Sequence, residues 1–224
     1  MKKIAMLTLL PLLLAAPALA QTCGPEQFTT PPDNIRVGDT FEVERRSVDS
    51  GWINGWAKGT NTIVSLTKDE IVVKSESGGR WRYDRSWGLL GYVGGTTDPY
   101  AYTYDPATPV MSFPLTVGKK WERDGIDVMI QFPGKSRPSV QKFSESSEVL
   151  GFEVIEVPGI GKVCTAHILA SLHELFAVSG RERFGKLERW YAAELGYTVK
   201  IDSRMADIPS HRVIGYHRGD VPQS

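Results

Sequence analysis

The sequence has little cysteine, no excess of either charge and, beyond its N-terminus, no long apolar run. The two cysteines lie far apart with no C-x-x-C spacing or flanking histidine, which argues against a redox-active thiol pair. Lys+Arg and Asp+Glu number 26 each, without blocks of like charge, so the cationic excess needed by a nucleic-acid partner is absent. At 41% apolar and 23% charged residues, the chain is globular rather than disordered. No helical period runs longer than about three turns, which excludes a helical bundle.

The one apolar run, Ile4 to Ala16, follows Lys2 and Lys3 and precedes Ala18-Leu19-Ala20 ahead of Gln21. This is the pattern of a secretory signal peptide cleaved after Ala20. Pro11 and Pro17 interrupt the run, and it is shorter than a bilayer span. Residues 1–20 are therefore expected to be removed, leaving residues 21–224 as a single β-rich domain, periplasmic or secreted, with no transmembrane segment. Cys23 follows Ala20-Gln21-Thr22 rather than the small and leucine-like residues that precede a lipidated cysteine. In an oxidising compartment Cys23 and Cys164 are then expected to form one disulfide. Closing a loop of about 140 residues is worth up to roughly 4–5 kcal/mol in the chain-entropy model.

Short alternating apolar runs punctuated by Gly, Pro, Asp and Asn predict an all-β chain with few or no long helices. The expected architecture is a curved antiparallel sheet or half-barrel built from two meander-like halves, at about residues 28–97 and 115–217. A Pro/Tyr-rich connection, 98–114, lies between them. The halves echo each other: Val37-Gly38-Asp39-Thr40-Phe41-Glu42 and Val117-Gly118-Lys119-Lys120-Trp121-Glu122 share the frame V-G-x-x-aromatic-Glu, a glycine turn opening a strand. At Gly78-Gly79 an odd-numbered loop with a bulge is expected, because it places Trp81 and Tyr83 beside Ile71 and Val73 rather than beside Lys74 and Glu76.

Motifs for catalysis fail on chemistry. His173-Glu174-Leu175-Phe176-Ala177 lacks the second histidine of a zinc-protease helix. Ser65-Leu66-Thr67-Lys68 falls at a strand end, where the lysine cannot meet the serine one helical turn on. His167 and His173, like His211 and His217, are six residues apart, about 20 Å along a strand, too far to chelate one ion without a turn. A cross-strand pair such as His167 with His217 is the remaining metal arrangement, and surface or hydrogen-bonded histidines are the favoured reading. No catalytic residue, metal or other cofactor is expected.

What remains is aromatic. Trp81, Tyr83 and Trp87 share one parity and Tyr100, Tyr102 and Tyr104 another, a ladder that can stack on sugars, peptides or apolar chains, or else fill a core. These six are the candidate ligand-binding residues, with Arg80 and Arg82 on the opposite face. The partner expected is an apolar ligand, a glycan or an envelope protein. Two alternatives stay open: a hydrolase using Asp84, Asp98 and Glu174, and an assembly factor whose C-terminal strand, Arg212 to His217, presents an edge.

Phe113-Pro114-Leu115-Thr116-Val117-Gly118-Lys119-Lys120-Trp121, Gly151-Phe152-Glu153-Val154-Ile155-Glu156-Val157-Pro158-Gly159 and Trp190-Tyr191 through Lys200 resemble the turn and strand motifs of a broad family of exported bacterial β-rich proteins of unknown function. The likeness covers roughly residues 112–203. It implies architecture and export and carries no catalytic residue. Cys164 stands where that family has an apolar residue, which fits the expected disulfide.

Overall fold

A computed structural model describes residues 23–46, 48–49, 52–53, 56–95, 100–107, 110–177, 179–205 and 208–220. The signal-peptide stretch and Asp98 lie outside these residues. After a short 3-10 turn, Pro25–Gln27, the strands are β1 (Thr40–Arg46), β2 (Val48–Asp49), β3 (Trp52–Ile53), β4 (Ala57–Leu66), β5 (Glu70–Ser75), β6 (Arg80–Asp84) and β7 (Leu89–Val93). They continue as β8 (Ala101–Asp105), β9 (Lys120–Gln131), β10 (Ser139–Val157), β11 (Gly161–Phe176), β12 (Arg181–Ala192), β13 (Tyr197–Ser203) and β14 (Ser210–His217). β8 falls within the Pro/Tyr-rich segment 98–114.

The all-β expectation holds, but the sheet is not open. Among the described residues, twelve strands close into one antiparallel barrel, with β2 and β3 as a separate hairpin. Closure comes from β1, which pairs with β4 on one side and β14 on the other, Phe41 lying opposite Asn61 and Tyr216. This removes the edge expected at Arg212–His217: β14 also pairs with β13, through Lys200 opposite Arg212 and Ile201 opposite His211. A chain this rich in strands satisfies its backbone most completely when its first and last strands meet.

The odd loop at Gly78-Gly79 is present: Ile71 faces Tyr83 and Val73 faces Trp81, with Ser75 N–H bonded to the Gly79 carbonyl. No bulge interrupts the β5–β6 ladder; the irregularities fall on either side, in β4–β5 and β6–β7. The two V-G-x-x-aromatic-Glu frames also take equivalent positions. Gly38 and Gly118 both have positive φ, donate to Ile63 and Val149 respectively, and lead directly into β1 and β9. A left-handed backbone at the turn is the reason for glycine there.

Barrels of twelve strands have a wider interior than eight-stranded ones, so large side chains are needed to fill them. Phe41, Trp87, Tyr191 and Tyr197 do so with Ile63, Ile71, Val149, Ile168 and Val213. One end is capped by the N-terminal arm. Phe28 stacks on Phe152 at 5.0 Å, its carbonyl accepts from Leu115 N–H, and Asn34 donates to the carbonyls of Ala193 and Glu194. The Cys23–Cys164 disulfide fastens this arm to β11. The opposite end is a rim formed by the β5–β6, β7–β8 and β9–β10 connections.

Outward positions carry Glu44, Lys74, Arg82, Glu148, Glu188, Lys200 and Arg212, while the apolar side chains face inward. That is the reverse of a lipid-facing barrel, whose outer band is apolar. Among the described residues, no helix is long and apolar enough to cross a membrane.

Candidate functional site

The six aromatic candidates separate into two groups. Trp81, Tyr92, Tyr102 and Ile130 are successive cross-strand partners on the interior face of β6 to β9. Their rings touch in sequence: Trp81–Tyr92 centroids are 4.1 Å apart and Tyr92–Tyr102 5.7 Å. Tyr104 continues this face beside Val128. At the rim the row ends in Tyr100, edge-on to Phe132 at 5.2 Å, with 38% and 37% of these two residues exposed. Tight backbone packing holds the row: a Cβ on Gly79 would lie 2.5 Å from the Tyr92 hydroxyl, and one on Gly91 2.7 Å from the Tyr102 carbonyl.

Tyr83 and Trp87 belong to the deeper core. Trp87 meets Tyr83 at 5.1 Å and Tyr197 at 5.7 Å, both edge-on, and Tyr197 stacks on Phe41 at 4.0 Å. Trp87 lies beyond β6, which ends at Asp84, so strand parity alone does not place it, yet it meets Tyr83 inside the barrel. The Asp84 carboxylate accepts from Ser86 and Gly88 N–H and turns the chain, leaving Trp87 at φ 61°. Tyr92 and Phe132 complete the rim row and were not among the sequence candidates. Tyr92 sits in the apolar run Leu89–Val93, and Phe132 directly follows β9.

Polar side chains inside the barrel are largely paired with one another. Glu145 accepts from Arg189 at 2.7 and 3.0 Å, from Arg123 at 2.9 Å and from Ser147 at 2.8 Å. Burial works against its charge, yet the two guanidiniums prevail and hold its pKa down at about 2. Farther round the wall, Arg45 donates to Asn61 and Asn61 to the Tyr197 hydroxyl. His211 donates from Nε2 to the Thr198 carbonyl at 3.1 Å, and burial pushes its pKa down to about 4, so it is neutral at neutral pH.

The remaining histidines are dispersed. His167 stacks on Trp190 and reaches Glu188 at 2.7 Å; His173 stacks on Phe184; His217 reaches Glu42 at 3.1 Å. His167 on β11 and His217 on β14 are separated by β12 and β13, so they are not cross-strand partners. Among the described residues, no group of three His, Cys, Asp or Glu side chains is placed to hold a metal ion. Of the carboxylates considered for hydrolysis, Asp84 caps its turn and Glu174 is paired with Arg183. Ser65 to Lys68 does fall at a strand end, where the Thr67 hydroxyl accepts from Glu70 N–H.

On the wall of β11 to β14 lies a groove of about 840 Å³, lined by Leu169, Leu172, Phe184, Lys186, Leu187 and Arg204 among others.

No protein-family model matches the chain, and no curated protein matches it. Solved structures do. A hypothetical lipoprotein of Escherichia coli K12, YmcC, aligns over 84% of this chain and 92% of its own, with TM-score 0.52 and 10% identity. A protein described as a lipoprotein from Parabacteroides distasonis aligns over 88% and 100%, with TM-score 0.47 and 11% identity. An exported protein from Bacteroides fragilis, described as having a YmcC-like fold, aligns over 88% and 100%, with TM-score 0.38 and 11% identity. At such identities what is shared is architecture: the chain has the fold of YmcC.

Proposed function

We propose that this chain is an exported, non-catalytic binding protein of the bacterial envelope that receives an apolar chain at the barrel rim. The observation carrying this reading is the partly exposed Tyr100–Phe132 pair, beside which Tyr102, Tyr92 and Trp81 form a cross-strand aromatic row over Ile130 and Val128. Aromatic rings arranged edge-on leave faces and clefts suited to methylene contacts. A sugar would call for convergent hydrogen-bonding groups, and the amide of the adjacent Gln131 is already spent on the carbonyls of Phe132 and Lys135. Export is supported by the signal-like N-terminus and by the description of YmcC as a lipoprotein. The naming of YmcC as a lipoprotein does not extend to an acyl group on Cys23, because its Sγ is bonded to Cys164.

Native mass spectrometry before and after organic extraction tests the proposal. The expected result is a lipid-sized adduct that extraction removes and re-addition of a fatty acid restores. Identical masses throughout, with no uptake of fatty acid, would overturn it.

A further inference from the structure

Three of the guanidiniums turned into this barrel are answered by carboxylates: Arg123 and Arg189 by Glu145, and Arg183 by Glu174. Arg45 is not. It shares strand parity with Phe41 and Val43, whose side chains are core, and lies opposite His211 on β14, so it too points inward. Among the described residues its one hydrogen bond goes to the Asn61 amide oxygen at 2.5 Å, and no carboxylate comes within ion-pair reach. Glu76 Oε2 and Arg45 Nη1 both approach Gly59, at 3.8 and 3.9 Å from where a Cβ would stand, without pairing with each other. A guanidinium carries five donors and a charge that is costly to hold inside a protein without a counter-ion.

Its surroundings form a layer one step deeper than the aromatic row. β6 and β8 both begin at the rim, so Tyr83 lies below Trp81 and Tyr104 below Tyr102 on the same inward face. Arg45 stands close enough to Tyr83, Tyr197 and His211 to act electrostatically on all three. Burial, with Tyr197 and Tyr104 beside it, raises the Tyr83 pKa, so that hydroxyl remains a donor at neutral pH. His211, kept neutral by burial, adds no competing cation. Arg45, Tyr83 and Tyr104 face the interior yet are only partly buried, so accessible surface remains among them inside the barrel. We infer that the apolar chain received at the rim carries an acid head, and that its carboxylate seats on the Arg45 fork while its methylenes run outward along Trp81, Tyr92 and Tyr102. This rests on the rim reading and adds the chemical class of the ligand: a single-chain carboxylic acid rather than a neutral lipid.

Isothermal titration calorimetry of the mature chain, freed of bound lipid, with decanoate and with 1-decanol at neutral pH tests this. Wild type should bind decanoate on the order of tenfold more tightly than the alcohol of the same length. Arg45→Gln should abolish that preference while keeping the affinity for decanol, which also shows that the variant is folded. Arg45→Lys keeps the charge without the fork and should retain part of the preference. Equal affinity for the two compounds in wild type, or a preference that survives Arg45→Gln, would overturn the inference and leave the rim reading standing. Failure of wild type to bind either compound would overturn both.

Discussion

Replacing Trp87 with alanine should cost roughly 3–5 kcal/mol of stability, the range for removing a large aromatic from a packed core. Trp87 is buried against Tyr83 and Tyr197, the latter stacked in turn on Phe41, so its loss opens a cavity that several rigid rings border. Alanine at φ 61° inherits the same unfavourable backbone, so no strain is relieved in compensation. Urea denaturation measures the effect. A variant as stable as wild type would show that the ring is a contact surface instead, and would return Trp87 to the ligand-binding set.

A second large effect is expected at Glu145. Its carboxylate neutralises Arg123 and Arg189 inside the barrel, at 2.9 and 2.7 Å. Glu145→Gln leaves two guanidiniums buried without a counter-charge, which should cost about 3–5 kcal/mol. Replacing all three residues by methionine or leucine of similar volume should be far milder, because the desolvation of both charges disappears with the charges. The pH dependence carries the same information. The folded pKa of Glu145, about 2, lies below its ordinary value, so its contribution is complete above the ordinary carboxylate range and is lost as pH falls toward 2. His211, held at about 4, adds a loss that begins earlier, as pH falls through the ordinary histidine range, because the unfolded chain binds that proton first. Glu145→Gln should flatten the lower window and leave the upper one intact. An unchanged profile below the histidine range would contradict the assignment.

How far the sequence foretold this molecule depends on the range of the interaction. The Gly78-Gly79 loop was legible because alternation over a dozen residues fixes which side chains share a face. The disulfide was legible because an exported chain with two cysteines has one simple solution, and the glycine turns before β1 and β9 because their frames repeat. Barrel closure was not, since it depends on β1 meeting β14 across nearly the whole chain, and nothing local distinguishes a strand that finds such a partner from an exposed edge. The interior ion cluster was hidden for the same reason. Glu145 and Ser147 sit in line with Val149, but only the register of β9 through β12 brings Arg123 and Arg189 to them. The position of Trp87 was not derivable from parity, because Asp84 ends its strand through side-chain hydrogen bonds.

The aromatic candidates show how parity and depth are separate questions. Parity correctly put Trp81, Tyr83, Tyr102 and Tyr104 on the concave side, but a closed barrel has an interior as well as a mouth. Distance from the rim, which the sequence does not encode locally, divides the residues that can meet a ligand from those that hold the wall together.

Binding at the rim is measured by titrating the apolar fluorophore N-phenyl-1-naphthylamine into wild type and into a Tyr100→Ser/Phe132→Ser variant, with melting followed in parallel. Saturable enhancement is expected with wild type, affinity reduced on the order of tenfold or more in the variant, and a nearly unchanged melting temperature, since both rings are partly exposed. Equal binding by the two proteins, or no saturable binding by wild type, would contradict binding at the rim.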